Sequence, residues 1–345
     1  MNRLNRLTLI LATLAAASSA CAYEIAPLNG EVWSDTSGRP INAHGGGILK
    51  HGDTYYWYGE YKGESTYRSP SVGWDCYRTD FTGVSCYSST DLVNWKFEGL
   101  ALAPDKDDPS SAIHPTMVVE RPKVVYNENT GKFVMWMHID NYNYWKACAG
   151  VAVSDSPTGP FTFIEATRPN NAESRDLTVY KDKDGKAYLI YSSEGNATLY
   201  ISRLTDDYLK QSGVYTRNFA GMSREAPAIF EHEGKYYIIS SGCSGWSPNE
   251  AAYAVADNVM GPYELRPNPC TGVDADKTFY CQSTFALPLS DGRFMAMFDR
   301  WKKEDLVDSR YVWLPISIGE DSITIPWADA WTDSTDADIL LVDNE

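Results

Sequence analysis

A chain of 345 residues that is 43% hydrophobic and 13% aromatic, with 25 Gly and 18 Pro, has the composition of a folded globular protein, which excludes disorder, collagen and coiled coil. Its 46 Asp+Glu against 30 Lys+Arg give a formal charge of −16, a surface that repels phosphate, so nucleic acid and anionic membrane are poor partners. The 23 Tyr and 11 Trp favour a neutral ligand with flat apolar faces, such as a sugar ring.

From the N-terminus, MNRLNRLTLILATLAAASSACA has two arginines, an apolar run from Leu7 to Ala17 and Ala20-Cys21-Ala22 in the A-x-A cleavage pattern. Residues 1–22 therefore read as a signal peptide and 23–345 as the mature domain, secreted or periplasmic. Lipidation of Cys21 is the alternative, although Ser18 stands where Leu is usual. No later stretch supplies the ~20 apolar residues of a membrane span, and a monomer is expected. Six cysteines remain in what reads as an oxidising compartment, and Cys76/Cys86 and Cys270/Cys281, each closing a short loop, are the expected disulfides. The five histidines are scattered and there is no C-x-x-C, so no metal site and no cofactor are expected.

Five segments then share one form, a strand, a turn with Gly and an aromatic-rich second strand. They are GGGILKHGDTYYWYGE from Gly45, KVVYNENTGKFVMWMHID from Lys123, DLTVYKDKDGKAYLIYSSE from Asp176, APAIFEHEGKYYIISSG from Ala226 and STFALPLSDGRFMAMFD from Ser283. Their turn glycines, Gly52, Gly131, Gly185, Gly234 and Gly292, supply the positive φ of tight hairpins. Further strand pairs follow, as in CYSSTDLVNWKFEG, GVAVSDSPTGPFTF and AAYAVADNVMGPYEL. Four antiparallel strands repeated five times predict an all-β, five-bladed β-propeller, with an insertion from Tyr61 to Val84 in the first blade. A stacked pair of β-sandwiches offers no reason for five similar hairpins. The tail SITIPWADAWTD reads as a last strand that closes the ring.

Eight to eleven residues before each turn glycine stand His44, Glu120, Asp176, Glu225 and Gln282, a polar residue at the mouth of every first strand. First strands line a propeller's axis, so these five are expected to converge on one funnel. Glu225, in SREAPAIF, sits among apolar neighbours behind Pro227. Desolvated there and near another acid such as Glu120, it acquires the raised pKa of a general acid. Glu120 and Asp176 adjoin Arg121 and Arg175, and salt bridges at strand ends are their plain alternative. Glu60, Asp140, Glu194 and Asp299 end second strands, and some of them are expected to face the funnel. Trp57, Trp136, Tyr142, Trp145, Trp246 and Trp301 are candidate sugar platforms.

Two carboxylic acids across an aromatic funnel are the apparatus of glycoside hydrolysis. NAHGGGILKHGDTYYWYGE, VERPKV, SRDLTVYKD and SREAPAIF resemble glycoside hydrolase family 43 and, within it, the exo-β-1,3-galactanase group, over nearly all of the mature chain. The resemblance implies release of galactose from the non-reducing ends of β-1,3-galactan, the arabinogalactan backbone, with inversion. It implies Glu225 as general acid and Glu120 as its orienting, pKa-tuning partner. Glu60, Asp176, Glu194, His44 and Trp136 are read as substrate-binding. Most family members carry a base Asp where this chain has Asn42-Ala43-His44. In the galactanase group a Gln on the fifth blade is proposed in its place, and Gln282 is the matching position. An α-L-arabinofuranosidase or β-xylosidase on the same fold, and a non-catalytic glycan-binding propeller, are the alternatives.

Overall fold

The computed structural model describes residues 27–63, 65–70, 73–320 and 322–331. The expected signal peptide and Cys21 lie outside them. The chain forms five blades, four of them four-stranded and antiparallel and the fifth with a short fifth strand at its edge, each cut from one continuous stretch of sequence. Blade one holds β1 (His44–His51), β2 (Thr54–Glu60), β5 (Val84–Ser89) and β6 (Lys96–Leu102), and its insertion folds into a small hairpin of β3 (Tyr67–Arg68) and β4 (Tyr77–Arg78). Blade two is β7 (Val118–Asn127), β8 (Lys132–Asp140), β9 (Cys148–Ser154) and β10 (Thr162–Thr167). Blade three is β11 (Leu177–Lys181), β12 (Ala187–Ser193), β13 (Thr198–Leu204) and β14 (Gln211–Asn218). Blade four is β15 (Arg224–His232), β16 (Lys235–Gly242), β17 (Ala252–Ala256) and β18 (Glu264–Arg266). In blade five, β19 (Cys270–Thr271) joins as a parallel edge to β23 (Ile323–Pro326), beyond β20 (Gln282–Pro288), β21 (Phe294–Arg300) and β22 (Arg310–Ile318).

The innermost strands β1, β7, β11, β15 and β20 touch in that order and close back on β1. Blades bury both faces against their neighbours, which is why their strands read as nearly continuous apolar runs. Five apolar clusters fill the five seams between blades. The seam that closes the ring, between blades five and one, is the most aromatic: Trp33, Trp57, Trp95, Trp313 and Trp331 lie within it, buried to 2% exposure or less. Each withdraws roughly 150–250 Å² from water, about 4–6 kcal/mol of transfer free energy at 25 cal/mol per Å². The tail contributes the fourth strand of blade five, β23, and the N-terminal stretch then ties across it, Asn29 N donating to Asp329 O at 2.7 Å and Asn29 Nδ2 to Trp313 O at 2.9 Å. Closure thus comes from side-by-side packing, not from a blade shared between the two chain ends.

One irregularity recurs where it matters. The register of β1, β7, β15 and β20 against the second strand slips at His44/Gly47, Glu120/Lys123, Glu225/Ala228 and Ser283/Phe285. Gly45, Arg121 and Ala226 have positive φ at three of these bulges. A bulge bends its strand and re-aims the side chain beside it. Here it ends the pleated inner strand and turns residues toward the mouth of the central channel. Gly46 permits the first bulge, since a Cβ there would meet Tyr58 O at 1.8 Å.

All six cysteines among the described residues are free thiols, so neither expected disulfide is present. Cys86 faces the blade one–two seam, with its Sγ 4.0 Å from Pro157 O, whereas Cys76 belongs to the insertion hairpin, where its carbonyl accepts from Ser69 N.

Candidate active site

Above the channel opens a cavity of about 410 Å³, lined among others by Glu60, Glu120, Arg121, Asp176, Glu225 and Gln282. Four of the five first-strand positions therefore do converge. The fifth does not: His44 is fully buried beneath the cavity, stacked on Tyr311 at 4.9 Å, with Nδ1 3.4 Å from Asp299 Oδ1. Asp299 Oδ2 also accepts from Gly45 N at 3.1 Å. This pair fixes the first bulge and offers no atom to a sugar.

Glu225 occupies the centre. Gln282 Nε2 donates to its Oε1 at 3.1 Å and Asn196 Nδ2 to its Oε2 at 3.2 Å, while the Cys243 thiol beside it donates to Ser223 O at 3.2 Å. Burial and then the neighbouring Asp176 carboxylate push its pKa up to about 8, against the pull of Arg121. A carboxyl so placed keeps its proton at neutral pH. The sequence reading gave the neighbouring acid's part to Glu120; the carboxylate that raises Glu225 is Asp176.

Glu120 has other partners. Tyr144 Oη donates to Oε1 at 2.8 Å, and His138 Nδ1 lies 3.2 Å from Oε2, while His138 Nε2 lies 3.1 Å from Asp140 Oδ2. Burial opposes charge on both groups, but the hydrogen bonds prevail, holding Glu120 at about 2 and His138 at about 9. At neutral pH this is an imidazolium gripped by two carboxylates, and it leaves Glu120 ionised on the cavity wall.

Arg121 organises the floor. Its N donates to Glu60 Oε1 at 3.0 Å, Nη1 to Ser283 O at 2.8 Å and Nη2 to Gln282 Oε1 at 2.5 Å, and Nη2 also pairs with Asp176 Oδ2 at 2.9 Å. Below it the buried Lys123 Nζ donates to Gly45 O at 2.8 Å, joining two bulges. Burial, then the nearby Arg121 charge, lower the Lys123 pKa to about 7. Glu60 pairs with Lys62 Nζ at 2.6 Å. Gln282 Oε1 accepts from Trp301 Nε1 at 3.2 Å as well as from Arg121, and Nε2 donates to Ser241 Oγ at 3.1 Å as well as to Glu225.

Two further expectations are corrected. Trp136 is buried at 1% exposure in the blade two–three seam, its Nε1 donating to Tyr208 O at 3.0 Å, and Trp57 is likewise core, so neither presents a face to a ligand. Glu194 lies outside the cavity lining, ion-paired to Arg217 at 2.6 Å and hydrogen-bonded by Thr198 and Tyr200, which hold it at about 2. Its φ of 54° belongs to a turn that instead delivers Asn196 to Glu225. Trp246 and Trp301 line the cavity, whereas Tyr142 and Trp145 are exposed away from it. The sequence reading missed Arg121, Lys123, His138, Tyr144, Asn196, Cys243 and Trp74. A Lys set directly before the apolar run Val124-Val125-Tyr126 of an inner strand was the signal for Lys123, and the rest arrive through tertiary contacts. Among the described residues no group of three or more His, Cys, Asp or Glu is arranged to hold a metal ion, and no helix is long and apolar enough to cross a membrane.

Residues 40–278 match the model of glycosyl hydrolases family 43. The chain belongs to that family. A solved family-43 β-1,3-galactosidase bound to galactodeoxynojirimycin is 44% identical, with a TM-score of 0.82 over 88% of this chain and 99% of that one. The exo-β-1,3-galactanase of Phanerochaete chrysosporium, solved as a Glu-to-Gln variant with β-1,3-galactotriose, is 36% identical, with a TM-score of 0.80 over 89% of this chain and 68% of that one. A xylan 1,3-β-xylosidase of a Vibrio species is 24% identical over 55% of this chain but only 37% of its own length. The chain thus spans well under half of that curated relative. Membership makes this propeller a glycoside hydrolase.

Proposed function

We propose that the protein is an exported exo-β-1,3-galactosidase that removes galactose from the non-reducing ends of β-1,3-galactan with inversion. The observation that carries this reading is Glu225, a carboxyl held protonated at neutral pH in a walled cavity that it shares with Asp176 and the ionised Glu120. Two solved structures with the fold over nearly nine-tenths of the chain are named for β-1,3-galactose chemistry, which supports galactose over xylose or arabinose. The leader-like residues 1–22 support export, and the chain is read as acting alone.

In the proposed reaction Glu225 gives its proton to the glycosidic oxygen as the bond breaks, so that the departing galactan leaves as a neutral alcohol. Asp176 loses nothing in this step, and its fixed negative charge raises Glu225 beforehand and then faces the positive charge developing on the sugar ring. Arg121 holds Asp176 and Gln282 in place. Gln282 acts by orienting water, which attacks the anomeric carbon from the opposite face as the glycosidic bond breaks; the added oxygen then sheds its proton to solvent, from which Glu225 regains one. The Gln282 Oε1 lies between Arg121 Nη2 and Trp301 Nε1, groups that donate only, so an imidic tautomer would turn a hydroxyl toward two donors. Inverting enzymes separate acid and water-activating group by roughly 6.5–9.5 Å, and so the 3.1 Å bond between Gln282 and Glu225 must open to admit the sugar. The test is galactose release from β-1,3-galactan beside aryl arabinofuranosides and xylosides. Binding of galactan without any product would leave a glycan-binding propeller.

A further inference from the structure

The insertion of blade one reaches across the cavity mouth. Trp246, in the loop after β16, donates from Nε1 to Asp75 O at 2.7 Å, a bond between residues 171 apart in sequence. The same insertion is fastened elsewhere on the rim: Leu306 N donates to Thr66 Oγ1 at 2.8 Å, Ser69 Oγ to Tyr142 O at 3.1 Å, and Arg78 Nη2 to Thr116 O at 2.8 Å. Blades one, two, four and five are thereby linked over the funnel.

Aromatic rings follow the same path. Trp301 meets Trp246 at 6.3 Å, Trp246 meets Trp74 at 6.5 Å, and Trp74 meets Tyr144 at 5.7 Å. The ends of this arc touch the reacting groups, through Trp301 on Gln282 and Tyr144 on Glu120. All four rings line the cavity that holds Glu225. Trp74 is 41% exposed, a large ring left open to solvent beside the polar groups of the cavity. Folding alone gives no reason to leave it there, whereas a sugar face does.

We infer that Trp74 and Trp246 form the subsite for the sugar on the leaving side of the scissile bond, and that the Trp246–Asp75 latch blocks the cleft so that only a chain end enters. This rests on the β-1,3-galactosidase reading and assigns its end-specificity to named residues. An internal stretch of galactan needs an open path on both sides of Glu225. The latch spans one of them with a hydrogen-bonded bridge whose free-energy contribution is modest, so the bridge is separable from the fold.

Three variants divide the roles: Trp74→Ala removes a ring, Trp246→Phe keeps a ring but removes the latch donor, and the double variant does both. For Trp74→Ala, the KM for β-1,3-galactotriose is expected to rise ~3–10-fold, the range of one aromatic contact, with a smaller change in the inhibition constant of free galactose, which reports the terminal pocket. For the double variant, polymeric galactan is expected to yield early fragments larger than galactose and to fall in molar mass by size-exclusion chromatography. An unchanged KM in Trp74→Ala, or a galactose inhibition constant that moves in parallel with it, overturns the subsite. Galactose as the sole early product of the double variant overturns the latch. Failure of the parent reading shows separately, as a wild-type protein that frees no galactose from galactotriose; the same variants are then compared for retention on galactan in affinity electrophoresis, where unaltered retention overturns the subsite.

Discussion

Replacing Glu225 by Gln removes the proton donor and nearly keeps the shape: its single carbonyl oxygen still accepts from Gln282 Nε2, while Asn196 must turn its amide so that Oδ1 meets the new NH2 group. With its pKa at about 8, Glu225 is largely protonated at pH 7 and largely ionised at pH 9, so wild-type kcat/KM should fall about tenfold per pH unit above 8. The Gln variant should lose that alkaline limb and ~10²–10⁴-fold of its rate on galactan, the range of a positioned acid. The loss should be much smaller on a dinitrophenyl galactoside, whose phenol leaves without a proton. Stability provides a second, independent readout. Between the ordinary 4.5 and about 8 the folded protein holds a proton that the unfolded chain has released, so stability falls as pH rises through that window. The cost reaches about 5 kcal/mol once both forms are ionised, at ~1.4 kcal/mol per tenfold. Glu225→Gln should therefore raise Tm most at pH 9 and least at pH 4. Assays are galactose release and dinitrophenol release from pH 4 to 10, with calorimetry on the same samples. Equal loss on both substrates, or an alkaline limb that survives in the variant, would refute the general-acid assignment.

Gln282→Ala is expected to lower kcat and kcat/KM together by at least ~10²-fold, with azide restoring turnover; near-normal kcat with only a raised KM would reduce Gln282 to a sugar ligand. The His138–Glu120 pair should stabilise the fold across mid-range pH. His138, held at about 9, contributes fully below its ordinary 6.5 and loses this as pH rises to 9, whereas Glu120, held at about 2, contributes above 4.5 and loses it as pH falls to 2. His138→Gln should accordingly flatten the alkaline fall of Tm, measured by calorimetry, and an unchanged slope would contradict the pairing. Trp136→Ala should cost ~3–5 kcal/mol in denaturant titration, as a large buried ring does, while leaving KM within about twofold. A KM rise without destabilisation would return Trp136 to the sugar-binding surface.

The propeller was legible because its hairpins repeat: each turn glycine and each aromatic second strand is a local signal. The same counting placed Glu120, Asp176, Glu225 and Gln282 correctly on one cavity. It failed at His44 although the bulge follows His44 at the same step as it follows Glu120 and Glu225. Asp299 and Tyr311 hold the imidazole under the floor, tertiary contacts that no spacing along the chain shows. It failed at Trp136 and Trp57 because alternation shows that a Trp faces a seam or the axis but not which. Pairing of Glu225 with Asp176 rather than Glu120 depends on Arg121 and on the neighbouring blade, information carried by blade packing and by no motif. Asn196 and Trp74 sit on loops whose course is set by the strands beyond them.

The most direct measurement of the central claim is proton NMR of the first turnover products from β-1,3-galactotriose. Galactose is expected as the monosaccharide released, from the non-reducing end, appearing first as the α-anomer and then mutarotating. Initial β-galactose would contradict inversion, and binding of the trisaccharide with no monosaccharide formed would contradict the enzyme itself.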